Sequence, residues 1–460
     1  MPNQIIPAGI QTLSGVLAEV YKDLKPHVLE QYGKAANAFH RQYAQNYLDR
    51  HGIIKVFCVG MRKPVSLEDV YVAVHLFEQD RTHRYLSLDD VETAYRQSGT
   101  RRFQLESADR RYGIEVANDE QYLMVLGGPG AGKSTLLRKI GLEALKGKEG
   151  AFEHMCIPVF IELKHFTDGQ ISLEDKITEE FRICGYPCPE TMMQDTLKAG
   201  KLLVLLDGLD EVPTQNTNAV IREIKDFVDR YGKNRFITSC RVAAYKGGLD
   251  RFRDVYVADF DDDQIKNYIE NWFASDANPQ RVAYDRKVET ALRCWDALDA
   301  PEHKATKELA QNPLLLTLLC LVYDTSQDFP RNRAFLYQEA LNVLLKEWAA
   351  EKRIQRDPIY TDLNAPLEVN MLSEMAYQGF EIDRLFYPES EIVNRIKAFF
   401  RDNLNAPEHL DGEQVLQAIA VQQGLLVERV RNVYSFSHLT LQEYLTAQYM
   451  ESLRLSIRTG

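Results

Sequence analysis

The residues of this chain best suited to chemistry lie in one short run, GGPGAGKST, residues 127–135. Gly127, four further residues, then Gly132, Lys133 and Ser134 fit G-x-x-x-x-G-K-[ST], the pattern of a loop that cradles phosphates. Gly127, Gly128, Pro129, Gly130, Ala131 and Gly132 carry little side chain, so backbone N–H groups can turn inward around anionic oxygens. A helix N-terminus adds its partial positive charge. Lys133 can reach the β- and γ-phosphates of a nucleotide, and Ser134 can offer its hydroxyl to Mg2+, with Thr135 as the less favoured neighbour. YLMVL before the loop and STLLRKIGLEALKG after it read as strand and helix, the flanks this motif requires.

Such a loop binds; hydrolysis also needs a metal ligand and a group that orients water. KLLVLLDGLDE, residues 201–211, offers both. Asp207 ends an apolar strand where it can hold Mg2+ directly or through water, and Gly208 keeps the turn open. Asp210 is the first choice to polarise the water and Glu211 the second. RFITSCR ends at Arg241, whose guanidinium could sense a γ-phosphate. The aspartates of DFDDD, residues 259–263, read as a helix cap rather than a metal site.

Around these residues the composition is that of an ordinary globular protein, 45% apolar and 27% charged. A length of 460 residues exceeds one core and predicts about three domains. The net charge of -12 weighs against nucleic acid as a partner, and the strongest basic cluster, Arg101, Arg102, Arg110 and Arg111, reads as a charged linker. Seven cysteines, with Cys184 and Cys188 the close pair, make no disulfide framework and are expected as buried thiols in a cytoplasmic protein. The amino terminus shows no signal-peptide pattern, and the longest apolar run, from Pro313, is too short to span a bilayer. No internal repeat is evident.

Five regions follow in order. Residues 1–50 read as a helical N-terminal region, with Leu13, Val16, Leu17, Val20 and Leu24 on one face. Tyr32, Phe39, Tyr43 and Tyr47 form a stripe that packs a core or meets a partner helix. Residues 51–117 read as a connector with strands in IIKVFCVG and VSLEDVYVAVHLF, then a polar linker over 80–117. Residues 118–260 alternate strands and helices, which predicts an α/β domain: a five-stranded parallel sheet with helices on both faces. Residues 261–330 are helical, with one helix expected over 305–323. Residues 331–460 carry helices at 334–350, 367–379 and 390–403, then a helix, a strand pair around VERVRNVYSF and a last helix, the ingredients of a winged helix.

In combination these motifs resemble the NACHT family, within the STAND class of signal-transducing P-loop ATPases to which NOD-like immune receptors belong. The resemblance covers about residues 118–455. GGPGAGKST matches the Walker A motif and LLVLLDGLDE the Walker B motif. TSCR is similar to the sensor-1 segment, although the family more often has Arg one place closer to the Thr-Ser pair. QNPLLLTLLC resembles the helical-domain motif whose proline packs near adenine, which implies that role for Pro313. FPRNRAFLYQEALNVLLKEW resembles the start of the winged-helix region. FSHLTLQEYLTA resembles the segment whose histidine contacts the β-phosphate of ADP in a closed state, which implies His438. The region around PVSLEDVYV is similar to the N-terminal connection in bacterial members that defend against phage.

The resemblance implies a P-loop NTPase sheet of the ASCE/AAA-like kind followed by helical and winged-helix domains, with ATP, ADP and Mg2+ as cofactors. It also implies a slow ATPase that switches on ADP/ATP exchange and assembles with copies of itself, in answer to a trigger such as a phage component. Such proteins usually carry an effector before the ATPase and a sensor after it; here a repeat-type sensor would be missing, in a short form or in a piece of a longer chain. Competing readings are a mechanical ATPase that remodels protein or nucleic acid, a non-hydrolysing nucleotide-dependent scaffold, and a transcriptional regulator.

Overall fold

The computed structural model describes residues 41–56, 58–78, 87–98, 109–167, 171–186, 190–275, 284–330, 333–351, 365–404, 412–419 and 424–459. The helix expected over Leu13–Leu24, together with Tyr32, Phe39, Arg101, Arg102 and Cys188, lies outside the described residues. Two-residue strands β1 (Ile53–Ile54) and β2 (Val65–Ser66) pair antiparallel ahead of the main sheet. That sheet contains β3 (His75–Phe77), β4 (Arg111–Tyr112), β5 (Tyr122–Leu126), β6 (Ile157–Glu162), β7 (Leu202–Asp207), β8 (Arg235–Cys240) and β9 (Arg253–Val257). Its order is β4-β3-β9-β5-β8-β7-β6. Strands β5 to β9 are mutually parallel, and β3 runs antiparallel to β9 and β4.

Every residue of β7 is buried, and so are all but the first of β5 and β8. Strands covered on both faces have no polar side to show, so they read as continuous apolar runs. Because β8 lies between β5 and β7, the carboxyl ends of these three strands sit side by side. Those ends carry the glycine-rich loop, Arg241 and Asp207, at the edge where open α/β sheets place their ligands.

The sheet has seven strands rather than the expected five, and the two extra ones come from the stretch read as connector. Leu76 pairs with Val257 and His75 with Tyr112. β3 falls in VSLEDVYVAVHLF, read as strand but assigned to the connector, whereas the two residues of β4, within the supposed linker, are too few for alternation to register as a pattern. The supposed linker also contains helix α2 (Leu88–Ser98), described after α1 (residues 41–51). Val91 of α2 is buried with Phe386, Val430 and Val433 in a small core of its own.

Tyr43 and Tyr47 of α1 pack in the core against the main sheet. Both are fully buried, Tyr43 stacks on Phe181 at 5.0 Å, and its hydroxyl donates to the Pro158 carbonyl at 2.7 Å. A Cβ on Gly141 of α3 (Lys133–Leu145) would lie 2.2 Å from the Tyr47 hydroxyl, so glycine there lets α1 approach the loop's own helix.

Beyond β9, Asp261 caps α4 (Asp262–Ala274) in a reciprocal capping box with Gln264, the role read from the aspartate run. The single helix expected over 305–323 is two, α5 (Lys304–Leu309) and α6 (Pro313–Ser326). Proline at the first position of α6 disfavours helical backbone at the residue before it, and Asn312 takes the N-cap with its side chain on the N–H groups of Leu314 and Leu315.

The C-terminal part is a winged helix. Helix α7 (Ala365–Glu381) packs on α8 (Leu439–Thr459), beside a sheet ordered β10 (Tyr387–Pro388), β12 (Val433–Phe436), β11 (Leu426–Val430). Asn432 closes the β11–β12 hairpin at φ +62°, a conformation asparagine tolerates. The third strand, β10, is two residues long, too short to show a pattern in the sequence, and pairs antiparallel with β12. The six described cysteines are free thiols and five of them are buried. Among the described residues no helix is long and apolar enough to cross a membrane.

Candidate functional site

Gly130 at φ +68° and Gly132 at φ +90° give the loop its left-handed turns, and Gly132 becomes the N-cap of α3. The Lys133 ammonium closes the loop on itself, donating to the carbonyls of Gly127 and Gly128 at 2.9 Å each. Two strands away, across β8, Asp207 Oδ1 accepts from Ser134 Oγ at 3.0 Å and from Ser239 Oγ at 2.6 Å. Ser239 Oγ accepts in turn from the Gly208 N–H at 2.8 Å, so this hydroxyl fixes both the carboxylate and the turn after it.

Burial pushes the Asp207 carboxyl above its usual range, and burial pushes the Lys133 ammonium below its own. A buried carboxylate whose charged form is penalised, with a hydroxyl oxygen alongside, suits a hard divalent cation. Ser134 and Asp207 are therefore a donor set that fits Mg2+, which takes one or two protein oxygens and completes its shell with phosphate and water.

Gly208, at φ +77°, opens the single turn Leu209–Glu211. Asp210 and Arg241 form a buried ion pair: Asp210 Oδ2 lies 2.9 Å from Arg241 Nε, and Oδ1 accepts the Arg241 backbone N–H at 2.9 Å. Glu211 folds back over Gly208, where a Cβ would come within 2.8 Å of its carboxyl carbon.

One cavity joins most of the residues singled out in the sequence. Pro129 through Thr135, Asp207, Asp210, Glu211, Arg241 and Pro313 all line it. Its far end is apolar. Tyr71 and Val72 form one wall, Tyr268 and Trp272 another, and Pro313 and Thr317 the third. The 70–74 wall is held to α4 through Gln264 Nε2 on the Ala73 carbonyl at 2.6 Å and Asn271 Nδ2 on the Tyr71 carbonyl at 3.2 Å.

Gly127, Gly128 and His438 line a separate cleft, on the winged-helix side of the loop. His438 is half-buried there, with Nδ1 3.1 Å from Ser437 Oγ. Burial, with a smaller contribution from the Arg429 guanidinium, pushes its pKa down to about 4. Arg429 is itself lowered to about 10 by burial and donates to Ser435 Oγ and to the carbonyls of Phe436 and Ser437.

The apex of the loop is the meeting point of three parts of the molecule. Asn312 Nδ2 donates to the Pro129 carbonyl at 2.9 Å, and a Cβ on Gly130 would lie 2.6 Å from Leu314 Cβ. From the winged helix, Gly424 comes so close that a Cβ on it would lie 2.3 Å from Cγ and Cδ of Pro129. Below this contact Glu308 of α5 is buried against the first turn of α8, accepting from the Thr440 hydroxyl at 2.5 Å and the Thr440 N–H at 3.3 Å.

Ser239, Asn312, Gly424 and the wall at 70–74 escaped the sequence reading. The first two stand beside residues already chosen, in Thr-Ser-Cys-Arg and Asn-Pro, where a hydroxyl and a capping amide were legible. Nothing local marks Gly424 or Tyr71, which reach the site through long-range packing.

The NACHT domain family matches residues 121–276, and the winged helix-turn-helix domain C-terminal to NACHT matches residues 333–450. Among curated proteins the chain is similar to NLR family CARD domain-containing protein 4 of Mus musculus, 23% identical over 350 residues, and to that of Rattus norvegicus, 22% identical over 347. These alignments cover 72% of this chain and 29% of each relative, so the chain spans less than a third of their length. Among solved structures it is similar to a Walker-type ATPase of Pyrococcus abyssi, with a TM-score of 0.43, 16% identity and coverage of 72% of this chain and 93% of that one.

Proposed function

We propose, from the premise that this chain belongs to the NACHT-domain P-loop NTPases, that it is a slow ATPase whose bound nucleotide sets the position of its winged helix. The observation that carries this reading is the loop apex. Pro129 and Gly130 touch Asn312, Leu314 and Gly424, so the backbone that wraps the phosphates also bears on the helical segment and the winged helix.

In this reading the loop N–H groups and Lys133 bind the phosphates, and Pro313 packs against the base. Ser134 and Asp207 hold Mg2+, which when bound neutralises charge at the phosphate oxygens. Arg241 gives up Asp210 for the γ-phosphate, and that exchange frees Asp210 to orient water, with Glu211 beside it. His438 and the winged helix stay on the loop with ADP and leave it with ATP. The departing surface then mediates assembly with further copies of the chain, in a signalling role of the phage-defence kind.

The test is to identify the nucleotide that co-purifies, then to measure oligomeric state with ADP and with a non-hydrolysable ATP analogue. A monomer holding ADP that assembles with the analogue supports the switch. Assembly in every nucleotide state, or normal assembly of Lys133→Ala, overturns it; the first outcome would favour a remodelling ATPase.

A further inference from the structure

The apolar end of the cavity contains a hydroxyl pair whose proton order is set by the fold. Thr317 Oγ1 lies 2.8 Å from the carbonyl of Pro313, one helical turn earlier, and 2.7 Å from the hydroxyl of Tyr268. A carbonyl only accepts, and threonine has one hydroxyl proton. If that proton goes to Pro313, Tyr268 must be the donor across the second contact. The reverse order would abandon the Thr317 bond to Pro313 at a place where both side chains are at least nine-tenths buried. The Tyr268 proton is thus committed to Thr317, and what its oxygen has left is a lone pair.

Both residues line the cavity together with Lys133 and Asp207. The phosphate groups belong at the Lys133 end, which leaves the space between Tyr71 and Trp272 for the base. Tyr268 is held rigidly there, stacked on Trp272 with ring centroids 6.2 Å apart.

We propose that the Tyr268–Thr317–Pro313 chain selects the base: its acceptor oxygen takes an amino purine, a donor at position 6, and repels an oxo purine, whose O6 would set lone pair against lone pair. The inference rests on the reading of this cavity as the nucleotide site and adds the choice of adenine over guanine. Sites built around a committed polar group discriminate more sharply than apolar pockets, because the wrong partner leaves that group unpaired.

The experiment measures equilibrium binding of ATP and GTP to the full chain and three variants, with inorganic tripolyphosphate and Mg2+ as the base-free control. The unaltered protein is expected to prefer ATP by about tenfold or more. Thr317→Val keeps the shape but frees the Tyr268 proton to donate to O6, so GTP gains and the preference falls below about threefold. Tyr268→Phe removes both the acceptor for the 6-amino group and the lone pair that opposes O6, so ATP weakens, GTP gains and the preference falls. Thr317→Ser keeps the hydroxyl and keeps the preference, and the tripolyphosphate affinity of all three stays at the starting value, which shows them folded. Equal binding of ATP and GTP by the unaltered protein, or an undiminished preference in Thr317→Val, overturns the inference alone. Failure to bind either nucleotide overturns the reading of the cavity itself.

Discussion

Replacing Gly424 by alanine should open the molecule without touching the nucleotide. Gly424 has φ +61°, and a Cβ there would lie 2.3 Å from Cγ and Cδ of Pro129, far inside contact distance. The left-handed backbone costs an L residue about 1 kcal/mol, and inserting a methyl against a packed ring about 1–3 more, so the contact between winged helix and loop loses roughly 2–4 kcal/mol. At 1.4 kcal/mol per factor of ten, the ratio of closed to open molecules falls about 30- to 1,000-fold. The assay is the dissociation rate of a fluorescent ADP analogue, followed by stopped flow, with oligomeric state read in parallel. Release should accelerate and assembly should appear at lower concentrations of the ATP analogue. Pro129→Ala supplies the control, because it removes both clashing atoms and leaves Cβ, 3.6 Å away, as the nearest proline atom. In a double-mutant cycle it should recover about 1–3 kcal/mol of the loss. An unchanged ADP release rate in Gly424→Ala, or strictly additive effects of the two substitutions, would refute the claim that the winged helix rests on the loop through this contact.

Acid should weaken the closed state through His438. Its pKa is lowered from 6.5 to about 4, so its contribution is complete above pH 6.5 and is lost as pH falls through about 4, by at most about 3 kcal/mol. Limited proteolysis of the winged helix between pH 7 and pH 4 would follow this opening, and His438→Gln should flatten the dependence. Thr440→Val leaves Glu308 buried without its hydroxyl donor and should cost about 1–3 kcal/mol, seen as a lower melting temperature; an unchanged melt would remove the bond from the account. Val91→Asp puts a charge into the small core with Phe386 and Val433, at a cost of about 2–4 kcal/mol. Hydrogen exchange should then rise over residues 88–98 and in the β11–β12 hairpin while α3 stays protected. Unchanged exchange at 88–98 would mean that α2 does not depend on the winged helix.

The parts of this protein that the sequence alone determined are those whose physics is local. A phosphate loop declares itself because left-handed turns, an ammonium and a hydroxyl must follow one another within nine residues, as they do from Gly127 to Thr135. The same holds for β7 ending in Asp207, for the Asp261 cap of α4 and for the strand pair of the wing. Where an element is too short to show a period, as in β4 and β10, nothing could be read, and β3 was legible as strand in VSLEDVYVAVHLF but not as part of the main sheet. The break at Asn312 was legible in principle from the proline after it. Tertiary structure decided the rest. It tied both oxygens of Asp210 to Arg241, put His438 in a cleft on the winged-helix side of the loop rather than in the cavity with Lys133, and brought α2 from a supposed linker onto the winged helix. It also built the base end of the cavity from Tyr71, Tyr268 and Thr317. Those placements depend on how three parts of the chain, joined in one continuous core, settle against each other. The free energy that settles them comes from contacts between residues far apart in the chain, and no spacing along a sequence records such contacts.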